Sequence, residues 1–228
     1  MRVLLAWGVH LFTACGAVAG AAGLLAVVDR DWDEAILWML VGLFVDAVDG
    51  MMARKVGVER LTLGFDGRRL DDMVDFLNYV IVPAVFLVAT GLLPHPAWAA
   101  VPILASAYGF GQVEAKTDDD FFLGFPSYWN VLAIYAWLLG VSPAACTVWV
   151  LGLSALVFVP LKYIYPSKLR VLRRTTCFLA AACMACVASF VLAPETAHRL
   201  RLLELSLVFP VWYVGLSFAL GGLHRNRT

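Results

Sequence analysis

Four aspartates at two regular spacings are the residues of this chain most suited to chemistry. Asp46 and Asp49 stand three apart, Asp71 and Asp75 four apart, so on helices each pair shares one face. The first pair follows the apolar run 35–45 and precedes Arg54 and Lys55, and the second pair opens the apolar run 76–93. An aspartate at membrane depth costs roughly 2.5–3.5 kcal/mol. Two pairs at matching depth repel one another unless protons or cations neutralise them. A divalent-metal site is the economical reading, and all-oxygen ligands suit Mg²⁺ or Mn²⁺ rather than Zn²⁺. No histidine lies near the four in sequence.

Gly50 and Ala53 continue the Asp46 face at i+4 and i+7 and leave room for a bulky group against the backbone, while Arg54 supplies a guanidinium fork of the kind that holds pyrophosphates. The residues by themselves lead to metal-assisted phosphoryl chemistry on a nucleotide diphosphate.

Membrane helices must carry these groups. The 228 residues are 62% hydrophobic and 15% charged, against roughly 45–50% apolar in soluble domains. At about 20 apolar residues per crossing, eight spans are expected, beginning near Phe12, Ile36, Phe76, Trp98, Tyr128, Val148, Cys177 and Ser206. The expected fold is an all-α polytopic bundle forming a single domain, 1–228. The first span runs on into the charged turn at 29–34 and reads as a retained helix, not a signal peptide.

Lys and Arg equal Asp and Glu at 17 each, so net charge identifies no partner, and no nucleic-acid partner is expected. Placement says more. With a cytoplasmic N-terminus, the inner segments hold every Lys and Arg except Arg30, Arg199 and Arg201, Arg225 and Arg227 included. The positive-inside rule then puts both termini and all four aspartates on the cytoplasmic side. The basic group Lys162, Lys168, Arg170, Arg173 and Arg174 reads as orientation charge and lipid-headgroup contact, and Asp118, Asp119 and Asp120 as a solvated turn. The cysteines at 15, 146, 177, 183 and 186 read as small buried hydrophobes.

In one-letter form, residues 46–54 read DAVDGMMAR and residues 67–75 read GRRLDDMVD. Together they resemble DxxDGxxAR…GxxxDxxxD, the signature of the CDP-alcohol phosphatidyltransferase family, at Asp46, Asp49, Gly50, Ala53, Arg54, Gly67, Asp71 and Asp75. The twelve-residue spacer 55–66 is longer than the eight usual in that family and is similar to its choline-using branch. So are the stretches at 10–20, 75–84, 116–130 and 161–169.

The resemblance implies transfer of the phosphatidyl group of CDP-diacylglycerol to choline, giving phosphatidylcholine and CMP, at the cytoplasmic face of a bacterial inner membrane. It implies Asp46, Asp49, Asp71 and Asp75 as ligands of Mn²⁺ or Mg²⁺, Asp75 also as general base, and Gly50, Ala53, Arg54 and Gly67 around the CDP group, with Arg68 or Arg69 as further phosphate contacts. A homodimer is implied by the family alone. Choline's quaternary ammonium calls for aromatic faces. Phe121, Phe122, Phe125, Tyr128 and Trp129 are the candidates, ahead of Tyr79 and Tyr108, and an interfacial aromatic belt is the competing reading of that cluster. Inositol, serine or glycerol 3-phosphate are the alternative acceptors, because the signature reads the CDP end and not the alcohol. A cation transporter is the remote alternative: it would spread its acids along a path through the bilayer, whereas these sit at one end.

Overall fold

The computed structural model describes residues 1–113, 115–117 and 119–222; Asp118, Arg225 and Arg227 lie outside the described residues. The chain divides into two compact units, Met1–Ala99 with Trp129–Trp137, and Ala100–Tyr128 with Leu138–Thr228.

In the first unit, α1 (Arg2–Val28) and α2 (Trp32–Val56) are joined by a three-residue turn. Asp31 caps α2 by accepting from the Glu34 amide at 3.0 Å, and Asp33 and Glu34 complement its N-terminal dipole. The helix ends with Arg54 and Lys55 in its last turn and Gly57 at φ +73°, a left-handed position that glycine takes without strain. After a short 3₁₀ turn, α3 (Gly67–Asp75) begins at Asp66, whose Oδ1 accepts from the Arg68 and Arg69 amides. It runs through a π-helical segment, Phe76–Ile81, into α4 (Val82–Ala89), and the whole stretch Gly67–Ala89 is long and apolar enough to cross a membrane.

Glycines set the spacing of these helices. A Cβ on Gly16 would lie 2.6 Å from Val74 Cγ1, one on Gly20 2.7 Å from Leu77 Cδ2, and one on Gly42 2.6 Å from Asn78 Oδ1. Small residues thus let α3 and the π segment settle against α1 and α2, the usual device of helix packing in lipid. Asn78, 2% exposed, locks the junction: its Nδ2 donates to the Gly16 and Val74 carbonyls, both at 2.9 Å.

The second unit holds α5 (Ala100–Gly111), α7 (Pro143–Val157), α8 (Arg173–Leu192), α9 (Pro194–Arg199), α10 (Leu202–Ser206) and α11 (Val208–Leu220); α6 (Trp129–Leu138) lies almost wholly in the first. It also contains a two-stranded antiparallel ladder that periodicity did not suggest, β1 (Phe121–Leu123) on β2 (Lys162–Ile164), with Phe122 opposite Tyr163. Gly124, at φ +80°, closes its end; a Cβ there would strike the Val157 carbonyl.

Helices occupy all eight expected places, yet among the described residues five are long and apolar enough to span: Arg2–Val28, Trp32–Val56, Gly67–Ala89, Arg173–Leu192 and Leu202–Leu220. The other three, α5, α6 and α7, have 12, 10 and 15 residues. At 1.5 Å per residue they fall short of a hydrocarbon core about 30 Å thick. Exposed Leu4, Leu11, Val18, Leu25, Phe178 and Val211 on the long helices are the lipid-facing surface of a membrane protein. Cys15 and Cys177 belong to that surface: they are exposed, not buried as expected, while Cys146 is buried. On a helix whose outer face meets lipid, an apolar thiol needs no interior position.

Candidate metal centre

Three of the four predicted carboxylates meet. Asp46 and Asp49 from α2 and Asp71 from α3 each present an oxygen within 4.8 Å of the others, with Asp49 buried and the other two half-buried. The i, i+3 spacing on α2 puts its pair on one face, and the glycine-mediated approach of α3 delivers Asp71 to them. The donor set fits a hard divalent cation. Three carboxylates this close carry mutual repulsion that a cation relieves, and Asp49, 4% exposed, has Thr13, Asp71 and Arg54 as its polar neighbours. Asp75 does not belong to that trio; it is half-buried and ends α3 one turn beyond Asp71, where the π segment begins.

The small residues of the motif divide by environment. A Cβ on Gly50 would meet only the Arg54 guanidinium, 3.3 Å away, so this stretch of α2 backbone is open apart from the arginine lying back across it. Ala53 packs with Met52 and Val56 against Ala6, Val9 and Val58. Gly67 is filled by the protein itself: a Cβ there would lie 2.6 Å from His10 Cε1. His10 is therefore near the motif in space, though distant in sequence. It is buried, hydrogen-bonded through Nε2 to Thr62 Oγ1 at 3.0 Å and packed against Phe65, ring centroids 4.6 Å apart. Since the Thr62 hydroxyl donates to the Val58 carbonyl, His10 Nε2 is the donor toward Thr62. Arg68 and Arg69 spend their guanidinium groups on exposed pairs, with Glu59 at 2.6 Å and Asp66 at 3.2 Å.

Sequence reasoning placed Tyr79 among the lesser choline candidates. In the structure its hydroxyl donates to Asp46 Oδ2 at 2.5 Å. Tyr79 lies eight residues beyond Asp71, but the π winding that brings it round left no signal in the apolar pattern.

The aromatic candidates sit in the second unit, except Trp129, which belongs to the first and is fully buried. Phe121, Phe122, Phe125 and Tyr128 pack onto a core of Tyr163, Ile164, Leu169 and Tyr213. Phe122 stacks on Tyr165 at 4.7 Å, Phe125 meets Tyr163 edge-on at 6.2 Å, and Tyr128 meets Tyr213 at 5.7 Å. Cations already lie over several of these rings. Lys168 Nζ is 4.9 Å from the Tyr165 centroid, Lys116 Nζ 5.9 Å from Phe122, and Lys162 Nζ 5.6 Å from Phe121. Tyr163, Tyr165 and Tyr213 joined the cluster only through the β ladder and α11. Tyr108 is paired with Phe158 at 4.7 Å. Of the acidic turn, Asp119 accepts from Lys162 of β2 at 2.7 Å and Asp120 lies 3.7 Å from Lys168, so these two acids are paired and not merely solvated.

No family model matches the chain. Curated relatives do. It is 41% identical to the phosphatidylcholine synthase of Legionella pneumophila over 223 residues, 93% of this chain and 87% of the relative. It is 39% identical to that of Pseudomonas aeruginosa over 72% and 71% of the two chains, and 34% identical to that of Borreliella burgdorferi over 77% and 76%.

Proposed function

Because the chain belongs to the phosphatidylcholine synthase family, we propose that it transfers the phosphatidyl group of CDP-diacylglycerol to choline, releasing CMP, with Asp46, Asp49 and Asp71 as the reaction's metal centre. The convergence of those three carboxylates within 4.8 Å carries the reading, and the family supplies the substrates.

The choline oxygen attacks the phosphorus that bears diacylglycerol, the bond from that phosphorus to the CMP oxygen breaks, and the choline hydroxyl proton leaves to a base. Asp75, one turn beyond Asp71 at the end of α3, is assigned that proton and, as the resemblance implies, a place among the ligands. Asp46, Asp49 and Asp71 would hold a Mg²⁺ or Mn²⁺ ion, which would supply charge neutralisation for the pyrophosphate. Arg54, lying along the open backbone at Gly50, adds a second positive charge for the phosphates. Gly67, occupied by His10, acts by allowing α3 to approach α1 and so positions Asp71.

Choline is assigned to the aromatic group of Phe121, Phe122, Phe125 and Tyr128, with Tyr163, Tyr165 and Tyr213 as further walls. Rings that accept lysine ammonium groups at 5–6 Å have the electrostatics to accept a quaternary one. Trp129, fully buried in the first unit, is assigned a structural place there. We assign the chain to the bacterial inner membrane as eight spans working as one domain, both termini and the metal centre on the cytoplasmic side. The three short helices are accommodated there by flanking turns. A homodimer is the expected assembly.

The test is CMP release by purified protein offered CDP-diacylglycerol with choline, serine, inositol or glycerol 3-phosphate. Choline-dependent release is expected; release with a different alcohol alone would keep the metal chemistry and overturn the acceptor.

A further inference from the structure

The contact between Tyr79 and Asp46 joins the π segment to α2 at one member of the carboxylate trio. Tyr79 is 5% exposed, and its donated hydrogen bond is the short one already described. In an unbroken α-helix, eight residues would carry Tyr79 roughly 80° round the axis from Asp71. The π segment Phe76–Ile81, whose hydrogen bonds reach one residue further, winds less per residue and takes back much of that angle. The phenol thus arrives beside the same α2 carboxylate that Asp71 faces. The segment is anchored where it matters: Asn78, the preceding residue, holds the Gly16 carbonyl of α1.

We propose that Tyr79 is a positioning residue for the metal centre, fixing the plane of the Asp46 carboxylate so that it meets the cation together with Asp49 and Asp71. A carboxylate bonded through one oxygen no longer turns freely about its side-chain torsions, so less entropy is lost when the ion binds. The donor's neutrality is what suits it. A lysine or arginine in this place would orient Asp46 equally well but cancel the charge the cation needs, whereas a phenol orients it and leaves the charge in place. Outer groups that orient metal ligands in this way typically change metal affinity by about 10–100-fold.

The inference rests on the reading of Asp46, Asp49 and Asp71 as metal ligands, and the experiment separates the two. Full-length protein in detergent micelles is titrated with Mn²⁺ alone and followed by electron paramagnetic resonance, as wild type, Tyr79→Phe, Asp46→Asn and Val80→Ala. Val80, fully buried in the same π segment, controls for loosened packing. Tyr79→Phe is expected to weaken Mn²⁺ about 10–100-fold and to recover CMP release as Mn²⁺ is raised, Asp46→Asn to lose tight binding, and Val80→Ala to lower the unfolding temperature without moving Mn²⁺ affinity. Wild-type affinity in Tyr79→Phe beside impaired Asp46→Asn overturns the inference alone. An equal loss in Val80→Ala overturns it too, and wild-type affinity in Asp46→Asn overturns the metal reading beneath it.

Discussion

Gly42→Ala puts a methyl group where α2 meets the π segment. Its carbon would lie 2.6 Å from Asn78 Oδ1, 2.9 Å from Cγ and 3.3 Å from Cβ, the nearest roughly 1 Å inside an ordinary carbon contact of about 3.5 Å. Asn78 cannot swing away freely, since its Nδ2 is committed to the Gly16 and Val74 carbonyls. Overpacking of this kind costs about 1–3 kcal/mol, and a strained or broken hydrogen bond adds about 0.5–1.5 kcal/mol. Replacing a helical glycine returns up to about 1 kcal/mol of chain entropy. The net expectation is a loss of about 1–3 kcal/mol, or an unfolding temperature lowered on the order of 5 °C for a chain of this size. Thermal unfolding in detergent reads it, with Gly8→Ala as control, because a Cβ at Gly8 meets nothing within 4 Å and should leave stability unchanged or raised. Equal unfolding temperatures for the two variants would refute the argument that Asn78 is wedged against α2.

Two further outcomes follow. Phe125→Leu, which removes the ring packed edge-on against Tyr163, should raise the KM for choline about 2–30-fold, the range of roughly 0.5–2 kcal/mol for a cation on an aromatic face. The KM for CDP-diacylglycerol should not move, and no change in the choline KM would remove Phe125 from the pocket. Hydrogen bonds from Lys162 and then Thr117 hold the Asp119 carboxyl below its ordinary pKa. A depressed folded-state value stabilises above the unfolded pKa, so that contribution is present at neutral pH and disappears as pH falls through the folded value. Thermal unfolding of wild type and Asp119→Asn should therefore differ at pH 7 and converge in acid. The difference should be small, since Asp119 is half exposed, and a gap that widens in acid would contradict the assignment.

The aspartate cluster was legible because two periodicities, i to i+3 and i to i+4, survive in any α-helix, and because an unexplained carboxylate in an apolar run is costly enough to stand out. Long spans such as Arg173–Leu192 were legible for the same reason: apolar length is a one-dimensional signal. The shortness of α5, α6 and α7 was not legible because apolar composition runs on through their flanking segments, 97–99 before α5, 139–141 between α6 and α7, and 158–161 after α7. Gly67 looked like room for ligand, and only the fold shows His10 in that space, brought there by the packing of α1. The π winding at Phe76–Ile81 shifts the angular register without changing composition, so the partnership of Tyr79 with Asp46 had no pattern to betray it. The β ladder that joins Phe122 to Tyr163 pairs residues about forty positions apart, a relation that local spacing does not carry.

The central claim is that the Asp46, Asp49 and Asp71 centre drives choline-dependent cleavage of CDP-diacylglycerol. It is tested most directly by measuring CMP release from purified protein stripped with EDTA, offered CDP-diacylglycerol and choline, and then titrated with Mn²⁺ in wild type and Asp71→Asn. The account predicts no release from stripped protein, recovery on Mn²⁺ addition in wild type, and none in Asp71→Asn at the same Mn²⁺. Full release in EDTA, or a wild-type response from folded Asp71→Asn, would contradict it.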